Sequence, residues 1–138
     1  MEKIKKDKKL IEALDFKKVE EIHKIIFPED YKVHMLKYNG GRPVSKLFFK
    51  PDIWDDEIKL SYLLPLKYGS YTFERANLKG ELLDYPEENL IIGHTLTGAL
   101  SISFKESEYG SIYVFYSDGE MHKLANSFTE FLEGLKEL

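Results

Sequence analysis

The segment Phe27-Pro28-Glu29-Asp30-Tyr31, followed by Tyr38-Asn39-Gly40-Gly41-Arg42-Pro43, most constrains what this chain can fold into, because it specifies a short helix together with its stop. Pro28 suits a first helical position, where its missing N–H costs nothing, and Glu29 and Asp30 complement the helix dipole in the first turn. Tyr31, Met35 and Leu36 supply an apolar side. Asn39, Gly40 and Gly41 tolerate the left-handed backbone that ends a helix, and Pro43 prevents its resumption. Upstream, Asp15 is placed to cap a helix in which Phe16, Val19, Ile22, Ile25 and Ile26 recur at three- and four-residue spacing, with Lys17, Lys18, Glu20, Glu21 and Lys24 on the other face. Phe27 precedes a proline, resists helical dihedrals and becomes the corner between the two helices.

Beyond Pro43 the period falls to that of strands. Residues 45–50 and 57–63 alternate as half-buried strands, separated by the polar, proline-containing stretch 51–56. Residues 65–89 are the least readable, with a short helix or irregular chain between Tyr71 and Leu83 and a loop at residues 86–89. Residues 90–93, 99–104 and 111–116 read as successive strands, the last two joined through residues 105–110 in a hairpin-like connection. Leu100, Ile102 and Phe104 share one face of their strand, as Ile112, Val114 and Tyr116 do of theirs. Asp118-Gly119 is a turn. Ser127-Phe128-Thr129-Glu130 has the form of a capping box that opens a terminal helix lined by Phe128, Phe131, Leu132 and Leu135. The expected class is α+β: two N-terminal helices, a mainly antiparallel sheet of about five or six strands, and a C-terminal helix.

A chain of 138 residues that is 43% hydrophobic supports one core, so residues 1–138 read as one domain. Residues 1–14, rich in Lys with Ile4, Leu10, Ile11 and Leu14 as the apolar members, read as a frayed extension or a short helix. There is no Cys, which removes disulfides, thiolate metal sites and a cysteine nucleophile. No signal-peptide or membrane-length apolar run occurs, so a cytoplasmic location and no membrane partner are expected. His23, His34, His94 and His122 match no zinc spacing, and no nucleophile elbow or phosphate loop is present. No catalytic residue, metal or cofactor is therefore expected. His94 has a conceivable acid/base role, against the plainer reading of a turn or surface histidine.

Charge is unevenly spread. Residues 1–50 hold 13 Lys+Arg against 8 Asp+Glu, a balance of +5, and residues 51–138 hold 7 against 16, a balance of −9, giving the net −4. An acidic larger part argues against direct nucleic-acid binding and suits a basic protein partner, or serves solubility alone. The cluster Asp52, Trp54, Asp55, Asp56 and Glu57 is the candidate contact, since Trp is enriched among residues that carry interface energy and the carboxylates steer association. The plainer alternative has Trp54 plugging the sheet edge and the acids solvated. Glu81, Asp84, Glu87 and Glu88 extend the patch if the two loops meet.

Three segments taken together resemble the SUKH superfamily of Smi/Knr-like proteins: residues 27–31 with 38–43, Ile91-Ile92-Gly93 with Gly98, and Leu124 to Leu132. The matching positions are Pro28, Tyr31, Asn39, Gly40, Gly41, Pro43, Gly93, Gly98, Ser127, Phe128 and Phe131. Phe27 stands where leucine is commoner, and His94-Thr95-Leu96-Thr97 departs from the acidic or small polar residues usual between the later glycines. The resemblance implies an α+β fold without catalytic machinery. It also implies the role of bacterial members as immunity proteins that bind and block a cognate toxin, often a nuclease; the alternative is a regulatory scaffold that binds a cellular protein.

Overall fold

The computed structural model describes residues 2–51, 57–78 and 88–137. Helix α1 (Ala13–His23) begins two residues before Asp15. Asp15 is therefore not the cap but the third helical residue, and its carboxylate accepts the Glu12 N–H at 2.9 Å. The helix ends at Lys24, whose φ of 55° is left-handed. Phe16 and Val19 are buried, whereas Ile22 and Ile26 are 62% and 70% exposed. Ile25 and Ile26 lie past the left-handed stop, where helical spacing no longer sets their direction.

Helix α2 (Glu29–Tyr38) starts one residue later than expected, because Pro28 is its extended cap (ψ 145°). Its end is as expected: Asn39, Gly40 and Gly41 take φ values of 45°, 88° and 100°. Tyr31 and Met35 are buried, but Leu36 is exposed.

The first residues depart from both expectations. Ile4–Lys5 (β1) pairs antiparallel with Arg42–Pro43 (β2), with Ile4 opposite Pro43 and Lys5 opposite Arg42. Ile4 and Ile11 are buried. Removing those two side chains from water is what fixes this segment to the body.

The remaining strands form one antiparallel sheet in chain order: β3 (Phe48–Phe49), β4 (Ile58–Leu63), β5 (Asn89–Thr95), β6 (Ala99–Ser103), β7 (Ile112–Phe115) and β8 (Met121–Ala125). Strand β8 was not expected. Helix α3 (Phe73–Ala76) falls in the hard-to-read region, and a 3₁₀ turn at Glu106–Glu108 carries the β6–β7 connection. Helix α4 (Phe128–Gly134) is capped by Ser127, whose Oγ accepts the Glu130 N–H at 3.0 Å. After α4 the chain returns to edge strand β3, where Phe48 and Lys136 exchange backbone hydrogen bonds of 2.8 and 2.9 Å. The sheet is curled, and residues of both edges, Phe48 and Phe49 on one and Leu124 on the other, line a single groove.

The core lies between the helices and one face of the sheet. Leu60, Ile92, Leu100, Ile102 and Ile112 meet Phe16, Phe27, Tyr31, Met35, Phe73, Phe128 and Phe131 there. Phe27 is central, with its ring 5.3 to 6.0 Å from those of Phe16, Tyr31, Phe73 and Phe104. Edge-to-face contacts of this kind add to the area each ring buries.

Candidate partner-binding surface

The positions that carry the resemblance are placed as joints of the scaffold. Asn39 is fully buried. Its Nδ2 donates to the carbonyls of Lys9 and Lys67 at 2.9 and 2.8 Å, and its Oδ1 accepts the Leu66 N–H at 2.8 Å. One side chain thus ties the end of α2 to two loops. A Cβ on Gly40 would come within 2.6 Å of the Leu63 and Leu64 backbone, and one on Gly93 within 2.7 Å of the Tyr62 carbonyl. Both sites need glycine for close backbone approach. Gly41 bridges to Leu63, and Pro43 pairs with Ile4. Pro28, Tyr31, Phe128 and Phe131 are buried.

Between the later glycines, β5 runs on through His94 to Thr95. The Thr95 hydroxyl donates to the Gly98 carbonyl at 2.9 Å and accepts the Gly98 N–H at 2.8 Å. The Thr95 hydroxyl is therefore consumed in closing its own turn, and Leu96 at the tip is 72% exposed.

Of the expected contact cluster, Asp52, Trp54, Asp55 and Asp56 lie outside the described residues. Glu57 is exposed and sits, with Lys50, on the groove of about 390 Å³ beside Phe48, Phe49 and Leu124. Strand register fixes what shares this end of the sheet. The Leu96 N–H donates to the Lys59 carbonyl at 3.0 Å, and Ala99 pairs with Phe115. The end of β3, Glu57 just before β4, the Leu96 turn and the turn at residues 117–120 thus share one end. Glu57, Asp118 and Glu120 give it exposed carboxylates. Of the second acidic cluster, Glu81, Asp84 and Glu87 lie outside the described residues. Glu88 precedes β5 at the opposite end, in a hollow of about 490 Å³ with Asn89, Lys105, Glu108 and Tyr113. The antiparallel register therefore separates Glu88 from Glu57 by the length of the sheet.

The histidines are dispersed. His34 is buried, hydrogen-bonds the Gly40 carbonyl through Nε2 at 2.8 Å, and burial pushes its pKa down to about 4. It is neutral at pH 7, so Nε2–H is the donor. His23 and His122 pair with Glu74 and Glu120 at 2.7 and 3.1 Å. His94 packs against Tyr62 and Tyr71, its Nε2 is buried without a hydrogen-bond partner, and desolvation lowers its pKa. Among the described residues no three His, Asp or Glu side chains group as metal ligands.

Two features were missed by sequence reasoning. Asp30 caps a second helix: its Oδ2 accepts the Thr129 N–H at 2.9 Å and the Thr129 hydroxyl at 3.0 Å, across 99 residues. Arg42 spans Asp7 and Tyr62, a link that sequence spacing does not signal.

Comparison with known proteins matches residues 11–134 to the family described as SMI1 / KNR4 family (SUKH-1). Among curated proteins no match is found.

Proposed function

Because the chain belongs to the SMI1 / KNR4 family (SUKH-1), we propose that it is an immunity protein, which binds a cognate toxin and neutralises it by stoichiometric association in the cytoplasm. Family membership over most of the chain is the observation that carries this reading, since members are generally non-catalytic immunity proteins. Blocking a toxin made in the same cell requires fast capture and slow release, which favours a preformed surface of roughly 800 Å² per partner. A sheet closed at its β3 edge by Lys136 suits that rigidity.

The contact surface of this reading is the acidic end of the sheet. Glu57, Asp118 and Glu120 are assigned to it, together with Asp52, Trp54, Asp55 and Asp56, which precede Glu57 in the sequence. Its partner is a basic toxin, such as a nuclease, whose substrate charge these carboxylates imitate. No described helix is long and apolar enough to cross a membrane.

The test is co-expression with a candidate toxin sought among the genes that neighbour this one. Protection and a 1:1 complex in sedimentation are expected; no protection by the unmodified protein would refute the immunity role. Replacing Asp55, Asp56 and Glu57 with Lys should slow association about tenfold or more at low salt and flatten its salt dependence. Unchanged association in that variant would remove this end as the contact surface.

A further inference from the structure

The basic N-terminal segment of the chain, residues 1–50, has a surface of its own. Pairing of β1 with β2 carries the lysines of residues 3–9 to the far end of β4, where Gly41 bridges to Leu63. There cations and aromatic rings interleave. The Arg42 guanidinium lies 5.6 Å over the Tyr62 ring, and the Lys9 and Lys67 ammonium groups lie 5.0 and 5.1 Å from the Tyr68 ring. Tyr62 and Tyr71 both pack on His94, whose buried Nε2 has no hydrogen-bond partner. Asp7, Lys8, Arg42, Tyr62, Ser70 and Tyr71 line a cleft of about 220 Å³.

We propose that this cleft is a second docking site, which takes an acidic segment of a protein partner through carboxylate contacts to Arg42 and Lys8 and apolar contacts to Tyr62 and Tyr71. Asp7 already shows the geometry: its carboxylate accepts the Arg42 Nε–H at 2.9 Å, with Lys8 at 3.4 Å. That bond uses one of the five guanidinium donors, and the Arg42 side chain is 52% exposed, so further donors face an incoming carboxylate. Tyrosine and arginine are the side chains that most often carry interface energy.

Size and charge pattern select a peptide. The cleft is smaller than the roughly 300 Å³ at which small-molecule pockets begin, so it admits one or two side chains. A nucleic-acid backbone presents evenly spaced phosphates and calls for an unbroken run of cations. Here Glu2, Asp7, Glu12 and Asp15 interrupt the lysines, a pattern that a peptide with spaced carboxylates can match and a phosphate row cannot.

The test titrates the isotope-labelled full chain at low salt with an octapeptide of alternating Glu and Tyr, and separately with an eight-nucleotide oligothymidine. NMR shifts confined to Lys8, Arg42, Tyr62, Tyr71 and His94 are expected. The Lys8→Glu, Arg42→Glu double variant should bind the peptide at least tenfold more weakly, and Lys17→Glu, Lys18→Glu on α1 should bind it unchanged. Should the double variant fold poorly, Tyr71→Ala and the shift map of the unmodified protein decide the matter. Shifts spread over the α1 lysines, undiminished binding by the Lys8→Glu, Arg42→Glu or the Tyr71→Ala variant, or tighter binding of the oligothymidine would each overturn the proposal. No toxin enters this experiment, so its failure leaves the immunity reading standing.

Discussion

Asn39 is the residue whose removal should cost this fold most for its size. Asn39→Ala deletes three side-chain hydrogen bonds, leaving the Leu66 N–H without its partner in a buried site and the part-buried Lys9 and Lys67 carbonyls without theirs. At about 1 kcal/mol or slightly more for each bond lost, that is about 3 to 4 kcal/mol. Alanine must also hold the left-handed φ of 45°, which asparagine tolerates, at about 1 kcal/mol more. The total is about 4 to 5 kcal/mol, a large share of the stability of a domain this size. Asn39→Gly relieves the backbone strain but restores no bond, and should lie about 1 kcal/mol above the alanine variant. Urea unfolding with an unchanged m-value measures both differences. A loss below about 1.5 kcal/mol for Asn39→Ala would show that the loops of Lys9 and Lys67 re-form elsewhere, and the account of Asn39 as the tie between them would be wrong.

Two further predictions concern groups buried or capped by the same packing. His34 is depressed to about 4, so between that value and its unfolded value near 6.5 the unfolded chain binds the extra proton. Its contribution is fully present above pH 6.5 and is lost as pH falls towards 4, by about 3 kcal/mol at most. His34→Gln, which keeps a donor for the Gly40 carbonyl, should flatten the decline of stability from pH 7 to pH 4, and an unchanged decline in unfolding titrations would refute this. At α4, Ser127→Ala and Asp30→Ala each remove an acceptor for an N-terminal N–H and should each cost about 1 kcal/mol in urea unfolding.

What was legible in the sequence is what local chemistry decides. The start and stop of α2 follow from Pro28 and from Asn39-Gly40-Gly41, with an error of one residue because proline serves equally well as an extended cap. Strands β6 and β7 were legible because Leu100, Ile102, Ile112 and Val114 alternate and all four are buried. Strand β8 was not, since Met121-His122-Lys123-Leu124-Ala125 has no clean alternation and a register irregularity opposite Ile112 and Tyr113 breaks it further. Strand β1 exists only through its pairing with Arg42 and Pro43, far along the chain, and a two-residue pairing leaves no period to detect. The acidic end of the candidate surface was visible as composition. That Glu57 shares it with Asp118 and Glu120, and not with Glu88, is a property of register and needed the sheet order.

The same division separates scaffold from recognition. Asn39, Gly40 and Gly93 sit where one backbone approaches another, and Pro28, Tyr31, Phe128 and Phe131 fill the core, so none of these positions presents a side chain that a partner must read. Phe27 shows how this packing is built, with Phe16, Tyr31, Phe73 and Phe104 closed around its ring. The connections can change length and charge at little cost to the core, which suits the recognition role proposed for them. On that argument, substitutions at Glu57 or Asp118 alter binding without altering unfolding, whereas substitutions at Asn39 or Gly93 lose both together. Measuring stability and association on the same variants would separate the two classes.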